Sequence, residues 1–534
     1  MSRPADLAAR LEAVLRRAED LAGAWGGRAR ASTTPARERA LLRLFGVGGL
    51  DRAGVPLASA VVERHVGGSA ERLAAGIALP FAVALLEYDV PPQQLALDVA
   101  SGAIDLAFEA ELLAEPDRRA AAEAEARRLV GLAFDRVDAN RAARLDLLDV
   151  LGDAPRPWFG LTLPTPMLEA APAEAAALVA IGADLVRIRV PAIRELVLRL
   201  HDRGREPGYW HPRDRRAGGD GDDPATVPAG SQRALARVRE RIDEAAAEAG
   251  RYVRLGTVAT ALSAPEQALV AALERIDVVE ADPIAEVVVD GVDPDRALAD
   301  HAFGHGLVRR SGAMALLGPG PLIVAPDLAR GIPADAATRA GRAFAMQALA
   351  VELARGDGLG AGQLAAGALA PWLVDEREPA AQALAAVALR RMAWPDVALA
   401  FEEPDLPGQA GARWPYLVAL SLAVAAPGVP GAGAPGALVL RRAETVVAAA
   451  HAGETTRAAA TIAVEIAATP QEVLRRPAVA AQTEALLATT EATLAGLADE
   501  GWQTVLGAPL GEAGHAGLGA DAVVERSEGV EPLG

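Results

Sequence analysis

Residues 250–282, GRYVRLGTVATALSAPEQALVAALERIDVVEAD, limit what this chain can fold into more than any other stretch. Residues 252–260 are rich in β-branched side chains, which suit a pleated strand. Ser263 can cap a helix, with Glu266 reaching back to the Ser263 backbone amide. Pro265 falls in the first turn, where its missing N–H costs nothing. Leu269, Ala272, Leu273 and Ile276 then recur at helical spacing. A second short apolar run, 276–279, ends in Glu280 and Asp282. The sum is one β-α-β unit with polar residues at its strand ends, where a parallel α/β barrel places its chemistry.

The same alternation extends on both sides. Strands are expected at 159–163, 183–190, 313–317, 397–401 and 437–440, and helices at 173–181, 294–310 and 335–355. Ser231 can cap a helix running to Ala249, after a long loop over 204–230 rich in Gly, Pro, Asp and Arg. Between Leu317 and Val397 the pattern resolves strands poorly. The expected fold is α/β: a TIM-type (β/α)8 barrel over residues 151–450. A helical accessory region, 1–150, precedes it, and a C-terminal helical segment and tail, 451–534, follow. Within the first region Leu7, Leu11, Val14, Leu15 and Leu21 make an amphipathic helix.

A chain of 534 residues with 51% hydrophobic side chains buries a large core, and 4% aromatics makes that core mainly Ala, Leu and Val. There is no cysteine, which excludes disulfides and thiolate chemistry. All 53 basic side chains are arginine, so no lysine amine is available for a Schiff base. A net charge of −18 disfavours nucleic acid and anionic membranes as partners. The first residues lack the apolar core of a signal peptide, and the longest apolar runs, 74–86 and 416–426, are too short to span a bilayer. A cytoplasmic location is expected.

Three constellations invite chemical readings. His301 and His305 stand four apart on an expected helix and could share a metal, but Ala302 replaces the glutamate of a zincin, so packing is preferred and no metal is assigned. Residues 356–362, GDGLGAG, could cradle phosphate through backbone amides, or be a turn after a helix. Glu280, Asp282, Asp290, Asp293, Glu402 and Glu403 could converge on a cation at a barrel mouth, or form a solvated acidic rim.

The chain also resembles the α subunit of D-lysine 5,6-aminomutase. The resemblance rests on GRYVRL, PE and ERIDV in the stretch above. It extends to Thr33-Thr34, the ERA at 38–40, Val55-Pro-Leu57, Pro91-Pro-Gln-Gln-Leu-Ala and Ser101-Gly-Ala-Ile-Asp-Leu106. It closes near Asp521 and Glu525. It implies a TIM-barrel subunit of an isomerase that uses adenosylcobalamin and pyridoxal 5′-phosphate for a radical 1,2-amino shift. It also implies a β subunit that carries the cobalamin-binding domain and the Schiff-base lysine, and a small amino-acid substrate. His301-Ala-Phe-Gly304 has the H-x-x-G spacing of cobalamin-binding domains, but its helical context makes it a coincidence.

Carried over position by position, the resemblance implies cofactor contacts at Arg189, Ser231, Ser263 and Asp293, and substrate contacts at Asp300 and Glu403. No single catalytic residue is assigned. The chain departs from the family where ligands are expected. Ile188-Arg189 keeps the start of an I-R-T-T-G-Q-S segment, but Val190-Pro-Ala-Ile-Arg194 replaces its hydroxyls and glycine. Val258 stands where a tyrosine stacks on the pyridine ring, Asp290-Gly-Val-Asp293 replaces R-D-I-N, and Glu403 takes the place of a lysine. A non-catalytic barrel with a structural or regulatory role is therefore the alternative reading.

Overall fold

Eight short parallel strands close into a barrel, each hydrogen-bonded to the next and the last to the first. The computed structural model describes residues 4–51, 55–154, 158–163, 170–189, 227–258, 264–281, 283, 293–317, 336–369, 379–402, 437–442, 470–501 and 523–527. After a two-residue strand β1 (Ser32–Thr33), the barrel runs β2 (Trp158–Thr162), β3 (Leu185–Arg189), β4 (Arg254–Val258), β5 (Val278–Glu280), β6 (Met314–Leu317), β7 (Leu364–Leu369), β8 (Ala398–Glu402) and β9 (Ala437–Arg442). The expected (β/α)8 barrel is thus the fold. The strand that the sequence pattern hid is β7, LAAGAL. Alanine and glycine carry little strand preference, so only its neighbours' register reveals it.

Strand alternation sorts the barrel's side chains. Trp158, Leu185, Val278, Met314, Leu316, Ala365, Ala398 and Ala400 form one apolar cluster in the lumen. The residues between them, such as Phe159, Val186, Ile188, Val279, Ala315 and Leu399, join a much larger cluster with the surrounding helices. Ahead of the barrel in the chain come the accessory helices α1 (Pro4–Ala31), α2 (Pro35–Leu44), α3 (Leu57–Val66), α4 (Ala70–Ala75), α5 (Ala78–Tyr88), α6 (Pro92–Ser101), α7 (Leu106–Glu109) and α8 (Pro116–Leu151). Around the barrel lie α9 (Ala171–Ala180), α10 (Val227–Ala249), α11 (Ala264–Leu273), α12 (Pro294–Ser311), α13 (Ala336–Gly356) and α14 (Pro379–Ala393).

Residues 1–150 divide between two cores. Leu7, Leu11, Val14, Ala18 and Ala22 of α1 are buried with the barrel's outer layer. Helices α2 to α8 build a second core around Leu42, Val61 and Phe81, which Leu269 of α11 and Phe303 of α12 complete. Near the C-terminus, α15 (Pro470–Leu474) and α16 (Pro477–Asp499) also pack on the barrel layer. A β-carbon on Gly341 of α13 would lie 2.5 Å from Thr489 Cβ, so glycine is what lets α16 approach, and Thr490 Oγ1 donates to the Gly341 carbonyl at 3.0 Å. Strand β10 (Val524–Glu525) pairs antiparallel with β1, and the Arg526 guanidinium bonds Glu38 at 2.7 Å.

One local expectation is corrected. Helix α10 begins at Val227, with Pro228 in its first turn, so Ser231 lies inside the helix and does not cap it. Glu266 spends its carboxylate on Arg39 at 3.2 Å and Arg43 at 2.7 Å, joining α11 to α2. The cap expected at Ser263 lies outside the described residues.

Candidate functional site at the barrel mouth

The strands end in Thr162, Arg189, Val258, Glu280, Leu317, Leu369, Glu402 and Arg442. They begin in Trp158, Leu185, Arg254, Val278, Met314, Leu364, Ala398 and Ala437. Arg189, Glu280, Glu402 and Arg442 are thus the last residues of their strands, at the end of the barrel where folds of this kind carry their chemistry. The opposite end is plugged. Arg254 lies over the Trp158 ring, its guanidinium carbon 3.5 Å from the centroid, and pairs with Asp153 at 2.6 Å.

One ion pair crosses a strand below the rim. Arg187 of β3 bonds Glu280 at the end of β5. Between them runs β4, with Gly256 in register with both Arg187 and Val278. A β-carbon on Gly256 would meet Arg187 Cγ at 3.2 Å, Leu185 Cδ1 at 3.2 Å and the Val278 carbonyl at 3.3 Å. Glycine at this position is what allows the arginine to cross a whole strand. Arg187 is 2% exposed and Glu280 17% exposed at the side chain, so the acid is the end that approaches the mouth. Sequence reasoning missed Arg187. Its signal is its alternation with the lumen residue Leu185, which has meaning only once the strand register is known.

Beneath β4 and β5 a second polar cluster holds the barrel together. Asp277 accepts from Arg144 Nε at 2.6 Å, Tyr252 Oη at 2.8 Å, Arg239 at 3.0 Å and the Leu255 amide at 2.8 Å. Burial alone would push its pKa up; Arg144, Arg239 and the amide outweigh that and hold it below the usual carboxylate value. Every partner precedes or enters a strand's N-terminal end or lies on a helix, which marks this as a structural joint.

The residues expected from sequence are dispersed. Arg189 is the last residue of β3 and stands at the rim. Ser231 sits within α10. Asp293 caps α12, accepting from the Arg296 amide at 3.1 Å. Asp300, 1% exposed on α12, accepts from the Thr34 hydroxyl and lies 3.4 Å from Arg296 Nε. Its partners come from α12 itself and from the cap of α2, not from a strand end. Ser263 and Glu403 lie outside the described residues, as do Asp282 and Asp290.

The alternative constellations do not assemble among the described residues. His305 has both ring nitrogens engaged, Nδ1 with Asp357 at 2.8 Å and Nε2 with the Ala281 carbonyl at 3.2 Å. The pair with His301 is therefore packing, and no group of three or more metal-ligating side chains forms among the described residues. The glycine-rich turn after α13 leads into the start of β7, on the face opposite the mouth. Of the acidic set, Glu280 is paired with Arg187, Asp293 is a helix cap and Glu402 ends β8.

Residues 8–406 match the D-lysine 5,6-aminomutase TIM-barrel domain of alpha subunit. Among curated proteins, the lysine 5,6-aminomutase alpha subunit of Fusobacterium nucleatum is 27% identical over 51% of this chain and 48% of that one. The protein of the same name from Acetoanaerobium sticklandii is 28% identical over 51% of this chain and 48% of its own. The match thus spans about half the length of these relatives. Among solved structures, Xanthomonas albilineans dihydropteroate synthase covers 58% of this chain and 97% of its own at 17% identity and a TM-score of 0.31, too remote a likeness to argue from. The family match reaches from α1 through β8 and so includes seven of the eight barrel strands and the ion pair at their mouth; the chain belongs to the D-lysine 5,6-aminomutase alpha-subunit TIM-barrel family.

Proposed function

We propose that this chain is the barrel subunit of an adenosylcobalamin- and pyridoxal-phosphate-dependent aminomutase, acting on a small amino acid together with a β subunit. The observation that carries the reading is the family match through β2 to β8, over a rim where Arg189, Glu280 and Glu402 end their strands.

The residues present fit a non-covalent anionic ligand better than a covalent one. Arg189 would hold a phosphate group at the end of β3, since Arg187 is already paired with Glu280. With no lysine in the chain, the covalent link to pyridoxal phosphate belongs to the partner, as does the cobalamin-binding domain. When bound, pyridoxal phosphate supplies delocalisation to an attached amino group. This chain's part is to orient ligands at the rim and to exclude water with the plugged lumen beneath. Asp293 and Asp300 then act by holding α12 in place, and Glu403 is the residue that the family resemblance assigns to the substrate.

Recognition of the phosphate and of D-lysine is expected to be weak. Val190–Arg194 offers no hydroxyl, Val258 cannot stack on a ring, and Glu403 opposes a substrate carboxylate. The same three replacements favour the second reading, a barrel that keeps its partner but not its catalysis. No helix among the described residues is long and apolar enough to cross a membrane, and the proposed site of action is the cytoplasm. The test is co-expression with a neighbouring β-like protein that carries D-x-H-x-x-G and a suitable lysine. Co-purification and cofactor spectra are recorded, followed by assay with D-lysine. A complex that takes up both cofactors supports the enzyme. A complex that takes up neither supports the structural role, and absence of any complex contradicts both.

A further inference from the structure

A buried cation stands behind the mouth, on the helix side of β7. Arg390 of α14 is 1% exposed, and its partners are all neutral. Nε donates to Gln347 Oε1 at 2.6 Å and to the Gly367 carbonyl at 3.2 Å, and Nη1 donates to the Ala386 carbonyl at 3.1 Å. Its guanidinium also lies over the Phe344 ring at 5.2 Å. No carboxylate among the described residues pairs with it. Burial pushes its pKa down to about 9, which still leaves it charged at neutral pH.

The cation is fixed at a special point of the barrel. Gln347 of α13 donates through Nε2 to the Gly367 carbonyl at 2.7 Å and to the carbonyl of Leu317, the last residue of β6, at 3.3 Å. Between Gly367 and Leu369 the pairing of β7 with β8 shifts register. Such irregularities gather at barrel rims and beside active sites, where they re-aim the strand end. Gly367 alternates with the lumen residue Ala365, so no side chain stands between the lumen and the backbone that Arg390 touches.

An uncompensated charge in a low-dielectric layer acts over a longer range than one in water. A structural arginine at this depth is ordinarily matched by a carboxylate, because an unpaired buried charge is costly. Here a side-chain amide and backbone carbonyls hold the charge in place without cancelling it. We propose that Arg390, locked by Gln347 behind the shifted end of β7, is a positioning residue that biases the barrel mouth toward the phosphate group of its ligand. The inference rests on the cofactor reading above and adds a residue outside the lumen to it. It also offsets part of what the hydroxyl-free segment after β3 lacks.

The experiment titrates the complex of this chain and its partner subunit with pyridoxal 5′-phosphate and with pyridoxal, which has the ring but not the phosphate. Arg390→Met removes the charge, Arg390→Lys keeps it, and Gln347→Glu cancels it in place. Arg390→Met and Gln347→Glu should each weaken pyridoxal phosphate about fivefold and leave pyridoxal unchanged, with Arg390→Lys near the parent. The two charge-cancelling variants are independent, so failure of one to fold leaves the other to decide. Equal losses for both ligands would make Arg390 a packing residue and overturn the proposal, as would no loss at all. A parent complex that binds neither ligand would overturn the cofactor reading and this one with it.

Discussion

Arg187 and Glu280 sit on strands that do not touch each other, and they meet by crossing Gly256 of the strand between them. The pair therefore depends on a missing side chain. A β-carbon at residue 256 would be 3.2 Å from Arg187 Cγ and 3.3 Å from a carbonyl that cannot retreat.

Gly256→Ala should therefore destabilise the protein by about 1–3 kcal/mol, the usual cost of overpacking. Gly131→Ala is the control. Gly131 lies in α8, where an added β-carbon would have nothing within 4 Å, so the substitution should gain up to about 1 kcal/mol. Denaturant unfolding measures both, and a neutral Gly256→Ala would contradict the crossing.

Asp277 is predicted to be the most sensitive carboxylate of the barrel. Asp277→Ala leaves Arg144 and Arg239 buried without their shared acid and should cost about 3–5 kcal/mol. The pH dependence follows from the lowered native pKa. The group contributes full stability above its unfolded value of about 3.9, and loses it as the pH falls through the lower native value. The acid limb of stability against pH should flatten in Asp277→Asn; an unchanged limb would assign acid unfolding to other groups.

His65 works at a higher pH. It is 3% exposed on α3, and burial lowers its pKa, opposed by Glu38 of α2 and Asp105 before α7 and assisted by Arg72 of α4. A histidine kept neutral in the fold gives full stability above its unfolded value of about 6.5, and loses it as the pH drops below that value. His65→Leu should abolish this slope below about pH 6.5. If the slope persists in the variant, another group carries it.

The sequence exposed some of this architecture and concealed the rest for physical reasons. Strands β4 and β5 were legible because Thr257, Val258, Val278 and Val279 are β-branched and a helical pattern separates them. Strand β7 was not, because Leu-Ala-Ala-Gly-Ala-Leu carries no such preference. Ser231 looked like a cap, yet the chain already turns helical at Val227. Arg187, Gln347 and Arg390 gave no signal, since their meaning depends on register and on which helix covers which strand. Arg189 is named only because the family resemblance marks it, and the structure makes it the last residue of β3.

The absence of lysine has a direct chemical readout. Borohydride reduction of the isolated chain with pyridoxal phosphate should label no side chain, leaving only the terminal α-amine open to reaction. Mass spectrometry of the reduced peptides checks this. A label on any internal peptide would contradict it.

The central claim is that ligands bind at the C-terminal mouth, above the Arg187–Glu280 pair. The most direct measurement is pyridoxal phosphate affinity of the complex with Arg187→Met and with Glu280→Gln. Removing the cation leaves a bare carboxylate beneath the phosphate, while neutralising the acid leaves a free guanidinium there. The predicted result is a pair of effects of opposite sign: about tenfold weaker binding for Arg187→Met, and equal or tighter binding for Glu280→Gln. Affinities unchanged in both variants, or weakened alike in both, would place the ligand elsewhere and contradict the account.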